Sequence, residues 1–205
     1  MDINASDIDS FYQTKLGTIV KRNIRHQLNI YLNSVNDSNV CGYGYTNPFL
    51  SFLNKQNKNL KISSMQPEFL GRYVKEKYDF EHHIIHEYFL PLDPSSVDLV
   101  ISTHLLEFVD KPISSIEEIW RILKPNGLFL IIIPRRSGIW TRYDNNPFGF
   151  GRSYSNRQFK SLIQDFLVLD QDTVMFLDFL HSRLSFVITN WAYPNAQKHL
   201  LQIQS

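Results

Sequence analysis

Apolar residues recur at helical spacing near the start of the chain. Phe11, Leu16, Val20, Ile24, Leu28 and Leu32 form one stripe, with Lys15, Lys21, Arg22, Arg25 and His26 between them. The spacing predicts one helix over residues 8–32 that covers a core with a basic outer face. A polar connection, 33–38, leads to a short apolar approach, Val40 and Cys41, and then to Gly42-Tyr43-Gly44. Two glycines one residue apart predict a sharp turn whose main chain a ligand can approach closely. Asn47 suits a helix N-cap and Pro48 the first helical position, with Phe49, Leu50, Phe52 and Leu53 as the apolar face behind them. Strand, glycine turn and helix N-terminus in that order make a nucleotide-type pocket. Residues 60–65 read as a second strand ended by Pro67, and 68–77 as a short helix.

The pattern continues with alternating elements. Residues 81–87 hold three histidines and two carboxylates, but Ile84-Ile85 favours a short strand. The His-Glu-x-x-His spacing of a helical zinc site is missing, and no metal is expected. A turn-rich loop, 90–96, precedes a strand over 97–102 with Asp98 near its start. A helix follows from Pro112, with Ile113, Ile116, Trp120 and Leu123 on one side, and Pro125-Asn126-Gly127 stops it. Residues 128–133 are apolar without alternation, which marks a strand buried on both faces. Beyond a long loop, Ser155 suits the N-cap of a helix over 156–166. A strand over 167–170, a helix over 176–191 and a last strand over 199–204 complete the expectation. Alternation of this kind predicts an open α/β sheet with helices on both faces.

Bulk properties narrow the function without selecting one. The 205 residues suit a single domain, and the hydrophobic and charged fractions, 43% and 20%, are those of an ordinary globular protein. A net charge of +1 offers no global field to attract nucleic acid or membrane, so either would need a local patch. One cysteine, Cys41, excludes an internal disulfide framework and a multi-cysteine zinc site, and fits a reducing compartment. Residues 1–7 are acidic and polar, unlike a secretory signal, and the longest apolar run is too short to span a bilayer. The expectation is a cytoplasmic protein.

Two stretches carry a family resemblance. Residues 96–107, Ser-Val-Asp-Leu-Val-Ile-Ser-Thr-His-Leu-Leu-Glu, and residues 118–130, Glu-Ile-Trp-Arg-Ile-Leu-Lys-Pro-Asn-Gly-Leu-Phe-Leu, look like the second half of a class I S-adenosylmethionine-dependent methyltransferase of type 11. The spacing from Gly42 to Asp98 to Gly127 suits that family, and Leu90-Pro91-Leu92 resembles its loop before the fourth strand. The resemblance is good over residues 38–134 and looser elsewhere. It implies a Rossmann-like, mostly parallel sheet with an antiparallel last strand. Residues 1–37 would form a helical cover, 38–134 the cofactor-binding half, and 135–205 the substrate loop and final strands.

The resemblance also implies a site for S-adenosylmethionine. Gly42, Tyr43 and Gly44 would approach the methionine part, Met65 and Gln66 the ribose, and His86 or Glu87 the adenine. Thr103 and His104 would border the sulfonium, with His104 the candidate base where the acceptor must lose a proton. Two positions depart from the family pattern. Val40 stands where an acidic residue is usual, and Gln66 lies where a carboxylate usually accepts two ribose hydroxyls. On that reading the lost charge-assisted contact weakens the site by about 1–3 kcal/mol.

The loop after the buried strand, residues 135–155, is rich in arginine, aromatics and glycine. One reading makes it a lid in which Arg136, Trp140, Arg152 and Tyr154 bind a flat or anionic acceptor by stacking and arginine forks. The plainer reading packs it onto the core. The acceptor, small molecule or macromolecule, is not specified. Two further functions stay open: a catalytically silent methyltransferase fold used as a binding module, and RNA binding through Arg135, Arg136, Arg142 and Arg152.

Overall fold

The computed structural model describes residues 3–32, 38–73, 78–134, 151–163, 174–178 and 184–190. Seven strands form one sheet in the order β3-β2-β1-β4-β5-β7-β6. The strands are β1 (Asn39–Gly44), β2 (Lys61–Pro67), β3 (Glu81–Ile85), β4 (Val97–Thr103), β5 (Leu123–Pro134), β6 (Val174–Asp178) and β7 (Leu184–Asn190). Strands β1 to β5 run parallel, and β7 is antiparallel to both β5 and β6. The helices are α1 (Ala5–Gln13), α2 (Lys15–Leu32), α3 (Asn47–Gln56), α4 (Pro112–Ile122) and α5 (Asn156–Ile163).

The alternation of strand side chains divides the core in two. Val40, Ile62, Leu99, Ile101, Leu130 and Ile132 point to the face covered by α1, α2 and α3. Cys41, Met65, Val100, Phe129, Ile131 and Ile133 point to the face covered by α4 and α5. The unbroken apolar run in β5 therefore feeds both layers, as expected of a central strand with helices on each side.

Several expectations need correction. The helix over 8–32 is two helices, broken at Thr14. The Thr14 hydroxyl donates to the Phe11 carbonyl and accepts from the Gly17 amide. These local bonds cap α2 in place of continuing the first helix. Of the helix expected over 68–77, the described part is a 3-10 turn, Glu68–Leu70, followed by Gly71 at φ 72°, and 74–77 lie outside the described residues. The helix over 176–191 is instead the pair β6 and β7, because the free edge of β5 takes Leu184–Asn190 as a partner. Pro125-Asn126-Gly127 does not separate α4 from its strand. It forms an irregularity in the β4–β5 ladder, where Val97 pairs with Leu123 and Leu99 with Leu128. The expected strands over 167–170 and 199–204 and the residues 135–150 lie outside the described residues.

Salt bridges and hydrogen bonds lock the far end of the sheet. Lys124 Nζ lies 2.9 Å from both carboxylate oxygens of Asp98, and the Asn39 amide donates to the same carboxylate. Arg121 pairs with Glu118 and donates to the carbonyls of Leu90 and Leu92, which holds the loop before β4 against α4. These contacts fix strand order and leave the opposite, carboxyl end of β1, β2 and β4 for chemistry.

Candidate functional site at the strand tips

Of the two glycines expected to turn the chain, Gly42 stays in the extended strand, and the turn begins at Gly44 and bends at Tyr45. Gly42 lies beside Ser64 of β2 and Ile101 of β4. A side chain there would collide with Thr46 and Leu50 of the following turn and helix. Gly44 has φ 102°, a region that L side chains rarely adopt, and a Cβ on it would collide with the Thr103 carbonyl. The two tips are then stitched together: the Tyr45 amide donates to Thr103 O at 2.9 Å, and the Thr103 hydroxyl donates to Tyr45 O at 2.6 Å.

Helix α3 starts at Asn47 with Pro48 in its first turn, but the cap position belongs to Thr46, whose hydroxyl makes no capping bond. Asn47 is turned to the sheet, where its Oδ1 accepts from the Ser64 hydroxyl at 2.6 Å. His82 Nδ1 lies 3.2 Å from the same hydroxyl. Gln66, at the end of β2, is fully buried and its Nε2 donates to Gly71 O at 2.7 Å. Among the described residues, Thr46 Oγ1, Asn47 Nδ2 and Gln66 Oε1 are buried polar atoms with no hydrogen-bond partner.

The tip of β4 carries a second polar group. His104 is buried and holds φ 52°, a left-handed conformation uncommon for a non-glycine residue. Its Nε2 lies 2.9 Å from the hydroxyl of Tyr12 on α1, and its Nδ1 lies 3.5 Å from Glu107 Oε1. Burial holds the imidazole down to about 3, pushes the Glu107 carboxyl up to about 8, and raises the Tyr12 hydroxyl well above its usual range. At neutral pH all three groups are therefore uncharged. The neutral imidazole shares one hydrogen bond with the Tyr12 hydroxyl at Nε2 and turns Nδ1 toward Glu107. Next to this group, α1 presents Asp9, whose carboxylate accepts from the hydroxyls of Tyr45 at 3.0 Å and Tyr73 at 3.2 Å.

The structure brings together Gly44, Gln66, Thr103 and His104 at the carboxyl ends of β1, β2 and β4. Arg152 touches the segment after β4 through its backbone, with its side chain exposed, and Tyr154 is buried in the α4–α5 layer against Phe159. The Arg152 amide donates to Glu107 O at 2.7 Å, and the Tyr154 hydroxyl to Leu106 O at 2.9 Å. Tyr43 and Met65 instead point their side chains into the α4 layer, where the Tyr43 hydroxyl bonds the Glu87 carbonyl. His86 is exposed beside Tyr88, and Glu87 is half-buried, both just beyond β3. Arg136 and Trp140 lie outside the described residues. Among the described residues no three His, Cys, Asp or Glu side chains gather as a metal would require, and no helix is long and apolar enough to cross a membrane.

Three residues of this region have little signature in the sequence. Tyr12 sits in an apolar stripe as one more aromatic. Asn47 reads as a cap. Glu107 gives the only hint, a carboxylate flanked by Leu105, Leu106, Phe108 and Val109.

Comparison with known proteins places this geometry. The methyltransferase domain family matches residues 35–131. A search of curated proteins found no match. Among solved structures, a protein assigned as an S-adenosyl-L-methionine-dependent methyltransferase from Methanococcus maripaludis is 14% identical, with 94% of each chain covered and a TM-score of 0.67. A SAM-dependent methyltransferase from Aquifex aeolicus is 15% identical over 92% of this chain and 99% of its own, at a TM-score of 0.60. Geranyl diphosphate C-methyltransferase from Streptomyces coelicolor A3(2), solved with Mg2+, geranyl diphosphate and S-adenosyl-L-homocysteine, is 10% identical over 83% and 77%, at 0.61. These structures share the fold, and the matched domain spans β1 to the core of β5. Residues 35–131 thus match the methyltransferase domain family, and the chain shares the fold of solved S-adenosylmethionine-dependent methyltransferases.

Proposed function

We propose that the protein binds S-adenosylmethionine at the tips of β1, β2 and β4 and transfers its methyl group to a small-molecule or macromolecular acceptor. The observation that carries this reading is three buried polar atoms without a partner on residues at the ends of β1 and β2: Thr46 Oγ1 and Asn47 Nδ2 just after β1, and Gln66 Oε1 near the end of β2. Leaving a buried polar atom unsatisfied costs about 1–3 kcal/mol. Such atoms on residues at the carboxyl edge, where ligands bind in open α/β sheets, fit a polar ligand that would satisfy them. A nucleoside carrying an amino-acid arm has the matching donors and acceptors, and glycine backbone lies alongside.

When bound, the cofactor supplies a methyl group on a sulfonium with a good leaving group. The chain therefore needs no nucleophile of its own, only positioning and exclusion of water. Gln66 and Asn47 would hold the nucleoside. The Tyr45–Thr103 stitch fixes the spacing of the two tips between which the reacting groups would lie. His104, uncharged and hydrogen-bonded to Tyr12, orients that hydroxyl over the β4 tip. This makes it a positioning residue, and a base in contact with the acceptor is not required of it. Arg152 and Tyr154 stand on the segment that borders Glu107, on the acceptor side of the reading.

The test is a nuclear magnetic resonance titration of the full chain with S-adenosylhomocysteine. Shifts confined to the Gly42, Gly44 and His104 backbone amides and the Gln66 and Asn47 side-chain amides are expected. Unchanged signals at all five would contradict the reading.

A further inference from the structure

The outer face of α2 carries more than a helix needs merely to face water. Val20, Ile24 and Leu28 are buried and hold the helix on the core. A second stripe, Lys15, Ile19, Arg22 and His26, recurs at the same helical spacing and is exposed. Leu16 flanks it, 48% exposed, and Ile19 within it is 57% exposed. A position and its third successor are neighbours on a helix surface, so the two aliphatic side chains stand together among the cations.

Charge on this helix is one-sided. Residues 10–36 hold no aspartate or glutamate, although Asp and Glu together number 20 in the chain. A solvated helix face ordinarily sets acids one turn from its bases. Two of the cations on α2 are used inside the protein. Lys21 Nζ donates to Tyr12 O at 3.2 Å, and Arg25 donates to Pro48 O at 2.9 Å and lies over the Phe52 ring. Lys15 and Arg22 stay exposed, and among the described residues neither has an ion-pair partner. Lys15 also opens the helix, where the dipole disfavours a cation, and no acid in the first turn offsets it. Packing fixes where this face lies. Gly17 has no room for a Cβ against the Phe11 carbonyl and the Tyr12 Cα, and Tyr12 in turn bonds His104. The start of α2 therefore stands just outside the tip of β4.

We infer that the outer face of α2 docks on an anionic lipid surface. Lys15 and Arg22 meet the negative headgroups, and Leu16 and Ile19 enter the boundary between headgroups and acyl chains. Aliphatic side chains gain free energy there, whereas they gain nothing against the phosphates of a nucleic acid. Two cations and two aliphatic side chains make a peripheral, reversible contact, and a local patch suffices for it in a chain of net charge +1. The inference stands independently of the cofactor reading.

Co-sedimentation of the full chain with vesicles tests it, using phosphatidylcholine alone and phosphatidylcholine mixed with phosphatidylserine. Binding to the mixed vesicles is expected, weakened by salt, with little to phosphatidylcholine alone. Lys15→Gln with Arg22→Gln should lower the affinity by about thirtyfold, and Leu16→Ser with Ile19→Ser by about tenfold. All four positions are exposed, so the thermal unfolding midpoint should hold in both variants, and the vesicle comparison and salt series need no variant at all. No sedimentation with mixed vesicles, or equal sedimentation with both kinds, would overturn the inference. So would full binding by the Leu16→Ser, Ile19→Ser variant together with equal retention of both chains on heparin, which would make the face a general polyanion site. A dimer in analytical ultracentrifugation that this variant dissolves would put a second copy of the chain on the face and overturn it as well.

Discussion

The carboxyl of Glu107 makes the most quantitative prediction. It is fully buried and stays protonated in the fold up to about pH 8, against an ordinary value of 4.5. Between those pH values the unfolded chain has released the proton and the folded chain still holds it. The unfolded state then binds fewer protons, so stability falls as pH rises through that window and levels off above it. At about 1.4 kcal/mol per pH unit the full effect reaches about 5 kcal/mol, an upper figure because the His104 imidazole close by relaxes part of it. His104 works in the other direction and in another window. Its folded value is lowered from 6.5 to about 3, so the stability it contributes is present above pH 6.5 and lost as pH falls toward 3. Comparing pH 6.5 with pH 8.5 isolates the carboxyl, and the loss expected there is about 2 kcal/mol. Glu107→Gln keeps the shape and removes the proton. Urea denaturation should show the parent losing stability across that interval while the variant stays level, so the variant becomes relatively more stable as pH rises. Two curves that run parallel from pH 6.5 to 8.5 would refute the assignment of a buried, protonated carboxyl.

Other substitutions probe the scaffold around the site. Gly44→Ala forces a side chain onto a φ of 102° and into the Thr103 carbonyl, and should cost about 2 kcal/mol or more in denaturant titration. Tyr12→Phe removes a neutral bond to buried His104 and should lower stability by about 1 kcal/mol, with a shift of the His104 imidazole nitrogen signals in the nuclear magnetic resonance spectrum. Asp98 serves both Lys124 and the Asn39 amide, whereas Lys124 serves Asp98 from a half-exposed position. Asp98→Ala should thus cost about 1–2 kcal/mol and Lys124→Met less than about 1 kcal/mol, measured as the difference in unfolding free energy.

The parts of the fold that could be read from the sequence are those set by local chemistry. The apolar run of β5, the Pro112 start of α4 and the Ser155 cap of α5 all stand where residue type and spacing put them. The cap even closes as a reciprocal pair, Ser155 and Gln158 each bonding the other's amide. Misreadings came where distant partners decide. Residues 184–190 are apolar enough for a buried helix, and only the unpaired edge of β5 makes them a strand. The break at Thr14 was written in a threonine and a glycine inside the stripe, but the stripe continues across it. In the site, Gln66 and His104 were legible as positions after β2 and β4. The unused atoms were not: that Gln66 keeps an acceptor and Asn47 a donor depends on Gly71 and Ser64, which sequence spacing does not bring to them.

Isothermal titration of the full chain with S-adenosylhomocysteine, at about 100 μM protein, tests the central claim most directly. A saturable heat with a dissociation constant in the micromolar range is expected of a small-ligand pocket of this kind. No heat at that concentration would contradict the assignment of a cofactor site to the tips of β1, β2 and β4.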